Sequence, residues 1–451
     1  MELVGNIVIW IMMVFVVIGA VGAVRDDSKG IGKEFKEGLH SIGPIFLPVA
    51  GIMASVPYLS LFVEFITGRI FDAVGADPSM AAGALIAGDM GGYNLAAVTA
   101  ESHGAWIMAA ATAFMSGSTI VFSIPVGLAM LQRVHHRYLA LGVMSGVLTI
   151  PLGVLVTTSI LILTNTSLRS EVSTSSPADT PMDLGWGQVL ANLLPILVFV
   201  VVLALLLRFA TRFMIAAFLV FGRVLDAALK IVLALVIVEY FTGALSTLWT
   251  GWGFDPIIAD EEDQFRALEI AGYIGIMLAG AFPLVYVIRT TLARPLEAVG
   301  GRVGISKEGI AAILAAAANI LAMFRLIPVM PPKDRVIVIA FSVCAAFTFG
   351  DHLAFMANFQ PNMVVPLTIG KLTAGVVAML LAVWLAVPTV RKMQDQDQPE
   401  HQDGHGHPDR EQDQHQRLDQ DARRPVADTA GSPSGSSEAP VPARREAAGE
   451  A

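Results

Sequence analysis

Two acidic side chains in apolar surroundings are the residues of this sequence best suited to chemistry. Asp89 lies in the middle of residues 79 to 98, SMAAGALIAGDMGGYNLAAV, among three glycines, Gly88, Gly91 and Gly92. A carboxylate at the centre of a bilayer costs roughly 2.5 to 3.5 kcal/mol on insertion scales, so such a residue usually faces a partner, an ion or a substrate. Each glycine lowers helix propensity by about 1 kcal/mol. The stretch therefore predicts a helix that breaks at membrane depth beside a protein-lined cavity.

The second acid, Asp351, lies in residues 347 to 362, FTFGDHLAFMANFQPN, which are also largely apolar. If this stretch is helical, Asp351, Phe355 and Asn358 fall at positions i, i+4 and i+7. A carboxylate, an aromatic ring and an amide then share one face of the helix.

The first stretch offers the same combination, because Asp89, Tyr93 and Asn94 fall at positions i, i+4 and i+5 if it is locally helical. An acid, a ring and an amide suit a small organic ammonium ion with a polar end. The carboxylate neutralises the cation, the ring contributes roughly 0.5 to 2 kcal/mol through a cation–π contact, and the amide binds a hydroxyl group. These two groups of three residues are the predicted substrate site.

Structural roles for the same charged residues are the alternative. Asp89 and Asp351 could instead be paired with Arg or Lys, or bonded to backbone N–H groups. Lys371, near the start of an apolar segment, is expected to extend its ammonium toward the interface, although it could pair with Asp351. Glu64 and Glu239 lie close to segment ends, which favours interfacial placement over ligand binding.

The adjacent Asp351 and His352 also raise the hypothesis of a membrane-bound, metal-dependent hydrolase, because this dipeptide occurs in such sites. The other histidines lie near segment ends or in hydrophilic sequence. We therefore expect no metal site, no cofactor and no catalytic residue.

The composition indicates the class of protein. The chain has 451 residues, of which 55% are hydrophobic and 15% charged, and its mean hydropathy is +0.65. These values predict an all-α polytopic membrane protein with about 9 to 11 membrane segments. Its expected partners are the lipid bilayer and a small-molecule substrate, and not nucleic acid. The single cysteine, Cys344, excludes an intramolecular disulfide and is expected to be a small core residue.

Eleven apolar segments can be distinguished, and the distribution of Lys and Arg between them predicts the topology. If residues 79 to 98 and 309 to 330 each enter and leave on the same side, all strongly basic connections fall on the cytoplasmic side. This arrangement gives nine crossings, an external N-terminus and a cytoplasmic C-terminus. The segments are approximately 3–24, 42–66, 79–98, 105–130, 138–163, 187–207, 226–249, 267–288, 309–330, 335–357 and 363–387.

The second of these re-entrant or broken segments, 309 to 330, is also rich in small residues and carries Asn319 and Arg325 near its middle. Paired re-entrant elements are typical of transporters and channels. Two ordinary helices packed closely through Gly and Ala are the alternative. Arg137 and Arg335, about two hundred residues apart, each open a segment, but this similarity is too weak to assign internal symmetry.

The hydrophilic regions complete the predicted organisation. Residues 165 to 185 form an external loop, and residues 208 to 225 an amphipathic helix at the cytoplasmic interface. The acidic residues 251 to 266 are expected to be a solvated external loop, with attraction of cations as the alternative. Residues 1 to 390 form the transport domain, and residues 391 to 451 a disordered hydrophilic tail.

Four motifs of this sequence resemble the EutH family of bacterial ethanolamine permeases. The likeness runs from the N-terminal helix to about residue 387. Two departures are a sparser Asn and Pro content in ANILAMF (318–324) and the tail after residue 391. The motifs are GADPSMAAGALIAGDMGGYNLA (75–96), STIVFSIPVGL (118–128), RYLALGV (137–143) and GDHLAFMANFQPNMVVPLTIGKLTAG (350–375).

The resemblance implies an integral protein of the cytoplasmic membrane that carries ethanolamine inward for an ammonia-lyase pathway. Such transport matters most when acid protonates the amine and limits its passive diffusion. A carrier of another small amine or amino alcohol, such as choline, remains an alternative. Three modes of transport are compatible with the sequence. Transport could be coupled to a proton carried by Asp89 or Asp351, coupled to sodium, or uncoupled.

Overall fold

The structure, a computed structural model, describes residues 2–397 and is almost entirely helical. Seven of its helices are long and apolar enough to cross a membrane. The predicted all-α polytopic architecture is thereby confirmed. Hydrophobic side chains cover both the interior and much of the outer surface, as in a protein whose solvent is lipid.

The first half of the chain contains ten α-helices. A π-helix spans Ala113–Ser123, and 3-10 turns span Gly88–Met90 and Arg133–His135. The helices are α1 (Glu2–Arg25), α2 (Gly30–His40), α3 (Ile42–Ala54), α4 (Val56–Val74), α5 (Ser79–Leu85), α6 (Gly92–Thr99), α7 (His103–Thr112), α8 (Ile124–Met130), α9 (His136–Val147) and α10 (Ile150–Leu163).

A two-stranded antiparallel hairpin, β1 (Ser167–Leu168) and β2 (Thr180–Pro181), lies in the connection to the second half. In the second half, 3-10 turns span Ile327–Val329 and Pro361–Met363. The helices are α11 (Trp186–Phe209), α12 (Thr211–Thr242), α13 (Ala244–Leu248), α14 (Ala267–Val303), α15 (Lys307–Ala318), α16 (Ile320–Leu326), α17 (Pro332–Ala345), α18 (Asp351–Phe359), α19 (Val364–Leu385) and α20 (Val387–Asp397).

Hydrogen bonds between connections define two ends of the helical bundle. At the outer end, the backbone N–H of Asp255 donates to Ala54 O at 2.9 Å, and Gln360 Nε2 donates to Arg169 O at 2.9 Å. At the inner end, Arg208 donates to Thr389 Oγ1 at 2.9 Å. Because Arg208 and other basic residues lie at the inner end, the positive-inside rule assigns that end to the cytoplasm.

Two pairs of short helices begin and end at the same end of the bundle. We call them hairpin 1 (α5 and α6, 79–99) and hairpin 2 (α15 and α16, 307–326). In hairpin 1 the helix is interrupted between Leu85 and Gly92, and in hairpin 2 at Asn319. Both predicted breaks are therefore confirmed.

A buried aspartate joins the two ends of each hairpin. Asp77 accepts the backbone N–H of Ser79 at 2.9 Å and that of Glu101 at 3.0 Å, which closes hairpin 1 at the outer end. Asp334 accepts the backbone N–H of Ser306 at 2.8 Å, which closes hairpin 2 at the inner end. The two hairpins therefore enter the bundle from opposite ends.

The hairpins and the elements that follow them begin at corresponding positions in the two halves of the chain. Because hairpin 1 is closed at the outer end and hairpin 2 at the inner end, the two sets of elements are inverted relative to each other. The sequence signal was too weak to show this symmetry. Corresponding elements start 228 or 229 residues apart, at Ser79 and Lys307, His103 and Pro332, Arg133 and Pro361, and His136 and Val364.

Two predicted boundaries were wrong. Residues 208 to 225 do not form a separate interfacial helix, because α12 runs without interruption from Thr211 to Thr242. The predicted start of the tail at residue 391 falls within α20, which continues to Asp397. Residues 398–451, to which the rest of the predicted tail belongs, lie outside the described residues.

The acidic outer loop is built around one arginine. Arg266 is almost fully buried, and its guanidinium lies 3.8 Å from Asp255, 3.1 Å from Asp260 and 3.7 Å from Asp263. The backbone N–H of Asp263 donates to Asp260 and lowers the pKa of that carboxyl. The loop thus surrounds a buried arginine with partly exposed acids, whereas Glu261 and Glu262 are exposed, as predicted for a solvated loop.

Gly187 and Gly301 are matched positions for testing the topology, because a Cβ added at either meets no atom within 4 Å. Gly187 lies at the outer end of α11, and Gly301 lies at the inner end of α14. In a chain whose buried Cys344 is replaced by alanine, Gly187→Cys should react with a membrane-impermeant maleimide added to intact cells. Gly301→Cys should react only after the cells are opened. Equal labelling of both cysteines in intact cells would contradict this topology.

Candidate functional site

A cavity of about 250 Å³ lies where the two hairpins meet. Asp89 and Asp351 both line it, so the structure brings together the two acids that the sequence singled out. The other lining residues come from the tips of both hairpins, the π-helix, α3, α14 and the chain around α18. They are Ser41, Pro44, Ile45, Pro48, Ala87, Met90, Ser118, Phe122, Phe282, Asn319, Leu321, Phe347 and His352.

The tip of hairpin 1 places Asp89 beside the cavity because its backbone leaves the helix there. Ile86 and Ala87 are extended, and Gly91 has a φ of 100°, a left-handed conformation that favours glycine. The backbone N–H of Gly92 donates to Ala87 O at 2.8 Å and starts α6. Of the three glycines at the predicted break, Gly91 is therefore the one whose backbone conformation favours glycine.

The tip of hairpin 2 is built around Asn319. This residue is extended, with a φ of −154°, and its Oδ1 accepts the backbone N–H of Leu321 at 2.8 Å, which caps α16. Because Oδ1 is used in the cap, the amide nitrogen is the group that can donate to a ligand in the cavity. Asn319 is thus both the cause of the break and a lining residue.

Each hairpin tip packs against a glycine of the next membrane-crossing element. A Cβ on Gly117, in the π-helix, would overlap Ile86 O at the tip of hairpin 1. A Cβ on Gly350, just before α18, would overlap Ala318 O at the tip of hairpin 2. Each of these contacts fixes one hairpin tip at the depth of the cavity.

Neither acid is clasped by a cation. Among the described residues, no Arg or Lys nitrogen lies within 4 Å of either carboxylate, and the Nε2 atom of the buried His352 lies 3.8 Å from Asp89 Oδ1. The Asp89 side chain is 17% exposed, and Asp351 is partly exposed. Pairing with Arg or Lys, the alternative considered for these acids, does not occur in this part of the chain.

Asp89, His352 and Ser118 lie close together but are not arranged for nucleophilic catalysis. Ser118 Oγ lies 3.2 Å from His352 Nε2, the same nitrogen that faces Asp89. In a catalytic triad, the acid and the nucleophile contact different ring nitrogens, whereas Nδ1 of His352 is buried without a hydrogen-bond partner. This geometry gives no support to the hydrolase hypothesis.

The predicted aromatic residues lie behind the cavity and not in its wall. Tyr93 and Phe355 are 0% exposed, and their ring centroids are 5.3 Å apart. With Trp106 and Phe359 they form a group that we call the outer aromatic cluster. The cluster lies toward the outer end, because Tyr93 Oη accepts a hydrogen bond from Gln360 Nε2 at 2.9 Å. Phe122, Phe282 and Phe347 are the rings that line the cavity.

The predicted amides also lie outside the cavity lining. Asn358 Nδ2 donates to the backbone carbonyls of Tyr273 at 3.0 Å and Ala354 at 2.9 Å, so its amide supports the local fold. Asn94 lies in the first turn of α6, the second helix of hairpin 1, and its Oδ1 is buried without a hydrogen-bond partner. Helical spacing identified a shared face for these residues but could not show which neighbour that face contacts.

The expectation that Lys371 reaches the interface was wrong. Its side chain is 1% exposed, and Nζ donates to Phe114 O at 2.6 Å. Of the other two acids, Glu64 is exposed on α4, and Glu239 accepts the backbone N–H of Leu245 at 2.8 Å. These two residues therefore keep peripheral roles.

The comparisons with known proteins agree with this architecture. Residues 4–385 match the family described as "Ethanolamine utilisation protein, EutH". The chain belongs to the EutH family. The match includes both hairpins, the π-helix and every residue that lines the cavity. No solved structure matches the chain significantly.

Several relatives match most of this chain and nearly all of their own length. Proteins named "Probable ethanolamine permease EutH" are 34% identical in Listeria monocytogenes, over 88% of this chain and 98% of the relative, and 33% identical in Salmonella typhimurium, over 85% and 95%. An "Uncharacterized protein YxeR" of Bacillus subtilis is 31% identical over 88% of this chain and 99% of the relative.

The family and the apolar helices together establish the class of this protein. It is a multi-pass protein of the cytoplasmic membrane, and the family naming points to a transporter and not to an enzyme.

Alanine substitutions at the tip contacts test whether the two halves depend on them. Gly117→Ala and Gly350→Ala should each destabilise the protein by about 1 to 3 kcal/mol, because the added methyl group meets a backbone carbonyl that cannot easily move. Gly272→Ala is the control, because a Cβ there meets nothing within 4 Å and alanine favours the helix. Thermal unfolding in detergent should give lower midpoints for the first two variants only. Midpoints equal to that of Gly272→Ala would contradict the proposed contacts.

Proposed function

We propose that this EutH-family protein moves protonated ethanolamine across the cytoplasmic membrane into the cell, for use in ethanolamine catabolism. The names of its relatives support ethanolamine as the substrate. The observation that carries the proposal is the pair of acids, Asp89 and Asp351, which line one cavity without a fixed cation.

The charge of the cavity suits an organic ammonium ion. Two buried carboxylates without a bound cation are unfavourable in a low-dielectric surrounding, so a cation that enters the cavity is strongly favoured there. An ammonium group carries three N–H donors and can bond to both acids at once. Charge-assisted hydrogen bonds of this kind contribute about 1.5 to 3 kcal/mol each.

The rest of the lining suits a short polar chain. Ser118 and Asn319 bring a hydroxyl and an amide to the cavity and can bond to the substrate hydroxyl. Phe122, Phe282 and Phe347 offer aromatic faces to the cation and the methylene groups. At about 250 Å³, the cavity is smaller than most drug-binding pockets and accommodates a solute of a few heavy atoms.

The positions of the hairpins suit alternating access. Hairpin 1 closes the cavity from the outer end and hairpin 2 from the inner end, and the two are related by inverted symmetry. The outer aromatic cluster fills the space between the cavity and the outer end.

Removing either charge should stop transport. Asp89→Asn and Asp351→Asn should each lower uptake of labelled ethanolamine into proteoliposomes by about 10- to 100-fold at acidic external pH, because each loses a charge-assisted contact to the ammonium. Asp226→Asn is the matched control, since Asp226 is exposed and pairs with Lys230 at 2.7 Å on α12. Uptake by the control should be unchanged. Wild-type uptake by both cavity variants would contradict the site, provided that all proteins unfold at similar temperatures.

Competition should separate ethanolamine from the alternative substrate, choline. The quaternary nitrogen of choline has no N–H group, so it loses the hydrogen bonds to both acids and keeps only its charge. We expect choline to bind at least about tenfold more weakly than ethanolamine, which corresponds to one lost bond of about 1.4 kcal/mol. Inhibition of labelled uptake by increasing choline or 2-aminopropanol measures the difference. Stronger inhibition by choline than by ethanolamine would favour the alternative.

A further inference from the structure

Lys371 is a buried charge that the proposed substrate site does not use. It lies on α19, its side chain is 1% exposed, and its Nζ donates to Phe114 O at 2.6 Å. Among the described residues, no carboxylate oxygen lies within 4 Å of that nitrogen. A lysine at membrane depth without an ion-pair partner is costly, and such residues usually serve function.

The acceptor of Lys371 lies in the π-helix of residues 113 to 123. A π-helix is wider than an α-helix, is rare, and is often found at functional sites. Within this π-helix, Ser118 Oγ donates to the backbone carbonyl of Ala113, five residues earlier, at 3.1 Å. Lys371 thus holds the first turn of the element that carries Ser118 into the cavity.

One aromatic side chain separates Lys371 from the two acids. The ring of Phe114 lies 4.9 Å from the ring of His352, and a Cβ on Gly88, the neighbour of Asp89, would overlap it. The ammonium therefore lies one layer behind the cavity that holds Asp89 and Asp351.

We propose that the Lys371 ammonium and the substrate ammonium are alternative counter-ions of the two cavity acids, so that binding of the substrate cation releases the proton of Lys371. This inference rests on the proposed function. Two positive charges on either side of Phe114 repel each other in a low-dielectric interior, and Lys371, which has no carboxylate within 4 Å among the described residues, is the less stabilised of the two. The released proton goes to solvent, so each cation is exchanged for one proton.

The other charged groups around Lys371 are few. Asp89 lies on hairpin 1 beyond the ring of Phe114, Asp351 and His352 lie on α18 beyond the same ring, and Cys344 lies on α17, which packs against α19. The neighbouring α10 carries no charged residue, and α19 carries none besides Lys371. The charged or titratable residues of α9, His136, Arg137 and Tyr138, lie at its inner end.

Proton release can be measured directly. Purified protein in weakly buffered detergent solution near neutral pH, with a pH indicator, receives pulses of ethanolamine hydrochloride adjusted to the same pH, while calorimetry gives the amount bound. We expect about one proton released for each ethanolamine bound by the wild type. By linkage, the apparent affinity should then rise by up to about tenfold for each pH unit.

Three variants make the measurement specific. Lys371→Met has no proton to release and Lys371→Arg does not lose its charge, so each that folds should bind ethanolamine without release and with an affinity that changes little with pH. Lys333→Met is the matched control, because Lys333 Nζ also donates to a backbone carbonyl, that of Gly304 at 2.8 Å, but at the inner end. The control should release protons as the wild type does.

The possible outcomes separate the inference from the function on which it rests. Binding of ethanolamine by the wild type without proton release would overturn the role of Lys371. Undiminished release in Lys371→Met would assign the proton to Asp89, Asp351 or His352 and would also overturn it. Failure of the wild type to bind ethanolamine at all would contradict the proposed function itself.

Discussion

Two carboxylates held at membrane depth without a fixed cation are the constraint on which the rest of this structure depends. A buried charge without a partner is unfavourable, and the fold tolerates Asp89 and Asp351 by placing both at a cavity where the helices are interrupted. The interruptions require small residues and extended backbone, as at Gly91 and Asn319. Those interruptions leave polar backbone at membrane depth, which survives only where protein or water covers it. The bundle around the cavity supplies that cover.

The inverted arrangement explains why the tips come in a pair. Each hairpin enters from one end and is closed at its base by one buried aspartate, Asp77 or Asp334. At its tip, a backbone carbonyl packs against a glycine of the next element, Gly117 or Gly350. Similar contacts in two inverted halves place one hairpin tip on each side of the cavity, an arrangement typical of transporters with inverted repeats. The hydrophobic exterior, which lipid surrounds, leaves this polar centre as the place where a hydrophilic solute can be bound.

Sequence reasoning predicted the class of fold, the two broken segments and the two acids, because hydropathy, glycine content and a charge in an apolar run are local signals. It did not predict which rings and amides face the cavity. Tyr93 and Phe355 have the right spacing from the acids, yet their faces pack on each other, whereas Phe122 and Phe282 come from distant elements. Asn319 was noted as a polar residue at a break, but only its capping geometry shows its free donor. The burial of Lys371 depends on the π-helix, for which the sequence gave no signal.

The measurement that tests the central claim most directly is an electron cryo-microscopy structure of the protein with ethanolamine bound. The account predicts density for the ligand between the two hairpin tips, with its nitrogen within hydrogen-bond distance of both Asp89 and Asp351 and its hydroxyl toward Ser118 or Asn319. Ethanolamine bound elsewhere, with both carboxylates instead paired to protein cations, would contradict it.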